Sequence, residues 1–104
     1  MKIIATKEGR TNIYIPEKES LKDFIKSKNL ESIHNFIPAG AMMLGADHEV
    51  EGVLSDIDRA DRIAIFTDKS NMGHSLALIY KNKLECYDVG EIKESDIELS
   101  PPSN

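Results

Sequence analysis

The fold turns on the stretch Arg62-Ile63-Ala64-Ile65-Phe66-Thr67 and the two that follow it, Ser75-Leu76-Ala77-Leu78-Ile79-Tyr80 and Leu84-Glu85-Cys86-Tyr87-Asp88-Val89. In an extended chain alternate residues point to opposite faces. Ile63 and Ile65 therefore share one face and Ala64 and Phe66 the other. Both faces are apolar, the pattern of a central strand. Leu76 and Leu78 oppose Ala77 and Ile79 in the same way. Lys81-Asn82-Lys83 is short enough for a tight turn, residues 68–73 form the other loop, and Gly90 ends the run. The result is a three-stranded antiparallel meander.

Working toward the N-terminus, residues 2–6 read as a strand and residues 7–10 as a turn, with Gly9 suited to positive φ. Residues 11–15 return as a second strand with Ile13 and Ile15 on one face, and Pro16 ends it because it cannot donate to a ladder. A helix follows: Leu21, Phe24 and Ile25 stand at i, i+3 and i+4. It starts either with Pro16 as its first residue or with Ser20 as its N-cap, and Asn29 is its stop. A second helix is expected from Asp47 as N-cap, with Ala46, Val50, Val53, Leu54 and Ile57 at helical spacing. Gly52 opposes it by about 1 kcal/mol. Between the helices, Leu30, Ile33, Phe36 and Ile37 fit either a short helix or an irregular strand, Pro38-Ala39-Gly40 breaks either one, and residues 30–45 are read as an extended connection packed against the core. Ile92, Ile97 and Leu99 dock a short tail element, and residues 101–104 fray.

The expected fold class is α+β. An antiparallel sheet, built from an N-terminal β-hairpin and a C-terminal three-stranded meander, carries about two helices on one face. The chain of 104 residues makes one domain over residues 1–100, and a composition of 40% hydrophobic and 30% charged residues is that of a globular protein.

Charge narrows the function classes. The net charge is −5; residues 1–30 hold seven Lys/Arg against four Asp/Glu, and residues 31–104 hold six against fourteen. An acidic body disfavours direct nucleic-acid binding and favours a protein partner with a basic surface. Cys86 is the single cysteine, so neither an internal disulfide nor a multi-thiolate zinc site can form. With no signal-like stretch at residues 1–8 and no run long enough for a membrane span, the reading is cytoplasmic.

Three places carry candidate chemistry. The acidic cluster Asp47, His48, Glu49, Glu51, Asp56, Asp58 and Asp61 is mainly the solvent face of the second helix. The loop Asp68, Asn71, Gly73 and His74 could cradle an anion or pair Asp68 with His74. The uncharged run from Phe36 through Met42 and Met43 to Gly45 is either core or an interface. Cys86 reads as a buried small hydrophobe, and His34 stands alone. No Walker loop, dinucleotide fingerprint, Gly-x-Ser-x-Gly elbow or zinc ligand series is present, so no cofactor and no metal is implied.

The leading expectation is a small acidic protein-binding module: an inhibitor, adaptor or accessory factor of the kind phages and mobile elements carry. Its interface candidates are Phe36, Met42, Met43, Asp47, Glu51 and Asp58. The alternative is a small-molecule- or metal-dependent enzyme using the Asp68–His74 loop with Asp47 or His48. A homo-oligomer is a further possibility.

Overall fold

The computed structural model describes residues 1–39, 42–67, 74–80 and 84–100. The elements run β1 (Ile3–Lys7), β2 (Ile13–Pro16), α1 (Lys18–Ser27), β3 (Ile33–Ala39), β4 (Met42–His48), α2 (Val50–Arg59), β5 (Arg62–Thr67), β6 (His74–Tyr80), β7 (Leu84–Glu91), a 3-10 turn at Glu94–Asp96, and β8 (Ile97–Leu99). The eight strands form one sheet in the order β4-β3-β7-β6-β5-β2-β1-β8. The α+β architecture, the N-terminal hairpin and the C-terminal meander are as the residue pattern dictates. All pairs are antiparallel except β1 with β8, which is parallel.

Alternation decides which face is core. Ile3, Ala5, Tyr14, Ile63, Ile65, Tyr87 and Val89 are buried together with Leu21, Phe24 and Ile25 of α1 and Val53 and Ile57 of α2. Both helices thus lie on one face. Each fully buried Leu or Ile contributes roughly 1.5–3 kcal/mol by leaving water. The opposite face carries Thr6, Ile13, Ile15, Arg62, Ala64, Cys86 and His34, placed there by register.

Helix α1 begins after Glu17 rather than at Pro16 or Ser20. The Ser20 hydroxyl instead accepts from the Ile4 N–H at 2.8 Å, pinning the helix to β1. Asn29 ends it with φ 52°, as read. Lys18 Nζ donates to the carbonyls of Asp58 and Ala60 at the end of α2. Lys22 Nζ meets Asp58 Oδ1 at 2.7 Å and Glu19 Oε1 at 2.9 Å, and these two carboxylates raise the lysine's pKa.

Residues 30–45 correct the expectation of an irregular connection. They build β3 and the first half of β4, an antiparallel hairpin from Ile33↔His48 to Ala39↔Met42. Asp47 and His48 are consequently strand residues. Glu49 is the N-cap of α2, which starts at Val50, and Ala46 belongs to β4. The physical reason lies in Pro38. A ladder that runs unbroken through a proline cannot need its N–H, so Pro38 turns its empty side to β7. The β3–β7 ladder accordingly stops at Phe36↔Cys86, while β3–β4 continues to its tip. Among the described residues, the β3–β7 pairs lie at the base of this hairpin.

Candidate functional site

Two features of the described residues are built to receive something: the free edge of β4 and a cavity beside β2. Among the described residues, strand β4 is the last in the sheet and pairs with β3 alone. Because Pro38 faces β7, the β3 residues pairing with β4 through main-chain bonds are Ile33, Asn35, Ile37 and Ala39. Their partners His48, Ala46, Leu44 and Met42 therefore face inward. Met43, Gly45 and Asp47 direct their N–H and C=O groups outward. The edge has no charged residue from Met42 to Ala46, and none of its seven residues is proline or lysine. Edge strands of soluble proteins ordinarily carry such guards. The opposite edge, β8, has only three residues and is followed by Pro101-Pro102 in the sequence.

The base of the hairpin is polar on both faces. On the face away from the helices, His34 Nδ1 lies 2.9 Å from Asp47 Oδ1. Its ring covers Gly45 so closely that a Cβ there would sit 2.2 Å from Nε2 and 2.7 Å from the Asn35 carbonyl. Gly45 is required by this contact, and His34 is not alone, as the sequence suggested. On the helix face, His48 Nε2 lies 2.9 Å from Asn35 Oδ1, and its ring stands edge-on to Tyr87. The Tyr87 hydroxyl is within 2.9 Å of both Asp56 Oδ2 and Glu85 Oε2. Burial, then these two carboxylates, hold its phenol far above the ordinary range.

Of the interface candidates, Phe36 lies in the middle of β3, Met42 and Met43 in the outer part of β4, and Asp47 near its base. Glu51 is exposed on α2, and Asp58 is bound by Lys22. Phe36, Met42, Met43 and Asp47 thus share one hairpin, which Glu51 and Asp58 do not. Asp68, Asn71 and Gly73 lie outside the described residues. His74 opens β6 opposite Glu91, with β3 and β7 between it and β4. Three strand spacings of about 4.8 Å separate the strands of His74 and Asp47, so those two are not brought together. Cys86 is buried, which pushes its thiol up, and His34 Nε2 leans toward β4 while Cys86 lies on the β7 side of β3. No thiol–imidazole hydrogen bond occurs among the described residues. No group of three or more metal-ligating side chains occurs among the described residues, and no helix among them is long and apolar enough to cross a membrane.

The cavity was not legible in the sequence. It has a volume of about 680 Å³ and is lined by Ile13 and Ile15 of β2, Arg62 and Ala64 of β5, Lys18 of α1, and Glu8 and Asp61 beside the strand ends. Ile15 is 41% exposed within it.

No family model matches this chain, and no curated protein or solved structure matches it.

Proposed function

We propose that the protein is a binding module that engages a partner protein by adding the partner's strand to β4. The observation that carries this reading is the outward row of main-chain groups at Met43, Gly45 and Asp47 on a seven-residue edge that has no proline or lysine and no charge from Met42 to Ala46. Main-chain pairing supplies affinity in this mode of recognition, and side-chain neighbours supply selectivity. Asp47, Glu49 and Glu51, exposed where β4 passes into α2, match a partner strand flanked by Lys or Arg. The module belongs to the class of inhibitors, adaptors and accessory factors, and its setting is the cytoplasm.

The test separates main chain from side chain. Met43→Pro removes one outward N–H without touching the bonds to β3, whereas Met43→Ala keeps it. Capture of a stoichiometric partner from lysate should persist with Met43→Ala and be lost with Met43→Pro. Equal capture by both variants would refute strand addition. A second copy of the chain is one possible donor of the strand; a concentration-dependent dimer in sedimentation, abolished by Met43→Pro, would identify it.

A further inference from the structure

Building on the strand-addition reading above, we infer that β4 receives the β4 strand of a second copy of this chain, antiparallel and centred on Gly45.

The edge is complementary to itself. Gly45 is the middle residue of Met42–His48, and the outward positions Met43, Gly45 and Asp47 are symmetric about it. In a two-fold contact, residue i of one copy meets residue j of the other, and j meets i. Turned about Gly45, Met43 meets Asp47 of the second copy, Gly45 meets its own counterpart, and Asp47 meets Met43. Outward residues set opposite one another in an antiparallel pair exchange both main-chain bonds. All outward N–H and C=O groups of β4 are then satisfied. Any other centre shortens the ladder. A centre at Asp47 also sets two carboxylates face to face, which is unfavourable.

Charge favours the same arrangement. The chain carries a net −5, and Asp47 and Glu49 are exposed at the base of the hairpin. In the pairing about Gly45, the Asp47 residues of the two copies are offset along the ladder by about 14 Å. That exceeds the screening length of about 8 Å at physiological salt. Each acidic base meets the uncharged Met42–Leu44 run of the other copy instead. A parallel pairing would stack Asp47 on Asp47. The other edge of the sheet limits the assembly. Strand β8 has three residues and Pro101-Pro102 follows it in the sequence, so it offers no comparable ladder. Pairing of β4 with β4 uses both long edges and closes at two copies.

At the axis no side chain intervenes. Gly45 has none, and the His34 ring lies where one would stand. The two strands meet there as bare main chain, with a His34 ring over each half. The imidazole signals of His34 therefore report the pairing.

Sedimentation equilibrium of the intact chain, from micromolar to millimolar concentration, tests the dimer. A reversible monomer–dimer equilibrium is expected, with the His34 NMR signals moving as the dimer fills. Met43→Pro should weaken dimerisation roughly tenfold or more, and Met43→Ala should leave it within about twofold. Disulfide trapping reads the register in a variant carrying both Met43→Cys and Asp47→Cys. Across the axis these two positions are opposite, about 5.5 Å apart between Cα atoms. Within one chain they are too far apart to bridge. Mild oxidation should yield a covalent dimer, which Met43→Cys alone should not. A monomer at every concentration, or equally efficient trapping by Met43→Cys alone, would overturn the proposal. A monomer that still captures a partner from lysate, and loses it on Met43→Pro, would leave strand addition standing with a different donor. A Met43→Pro chain that dimerises as well as the wild type would refute strand addition itself.

Discussion

At the scale of single residues, Tyr87 and Gly45 each carry more than their size suggests. The Tyr87 hydroxyl meets two carboxylate oxygens in a nearly closed environment. Tyr87→Phe should cost about 1–3 kcal/mol, the worth of a hydrogen bond from a buried hydroxyl to a charged acceptor, read from urea denaturation. Gly45→Ala should cost about 1–3 kcal/mol, because the added methyl meets a main-chain oxygen as well as the His34 ring. Loss of the His34–Asp47 contact should accompany it, visible in the imidazole resonances. Burial raises both the Cys86 thiol and the Tyr87 phenol above their ordinary values of 9.0 and 10.0. The unfolded chain releases these protons first as pH rises, while the folded chain keeps them. Stability should therefore fall as pH rises through and above about pH 9. Replacing Cys86 by Ala should remove the lower part of that fall, and a flat profile to pH 11 would contradict the assignment. The native thiol should also resist alkylating reagents at pH 8.

At the scale of elements, two prolines set where strands part. Pro16 and Pro38 each sit inside a strand that stays paired on one side and loses its neighbour on the other. Pro38→Ala should extend the β3–β7 ladder past Phe36, seen as new hydrogen-exchange protection at residue 38. Among the helices, Ile57→Ala in α2 should cost about 2–5 kcal/mol, since the side chain is wholly buried between α1 and the sheet. Helix α1 and the meander were legible because their apolar residues recur at one clear period: Leu21, Phe24 and Ile25 in the helix, Ile63 and Ile65 in the strand. The β3–β4 hairpin was not. Pro38 argues against a strand in any local reading, and Asp47 looks like a helix cap when its partner His34 is unknown. Met42, Met43 and Asp47 were singled out from composition, but the feature that unites them, an edge open on one side, depends on strand order. The cavity is hidden for the same reason: Pro16 and Ile63 are opposite only once β2 is known to adjoin β5.

At the scale of the whole molecule, the two ends of the sheet differ. One ends in a seven-residue strand, the other in a short strand that lies parallel to β1. Ile97, buried against Ile3, anchors the latter. Ile97→Asp should detach β8 and uncover Ile3, raising dye binding to exposed apolar surface while the β5–β7 meander keeps its exchange protection. That parallel pairing also orders events during synthesis. Strand β1 is translated ahead of the rest of this sheet, yet its outer flank stays bare until β8 has been translated. A nascent chain halted after β7 would thus be nearly complete in its core but would leave its oldest strand open to any passing polypeptide.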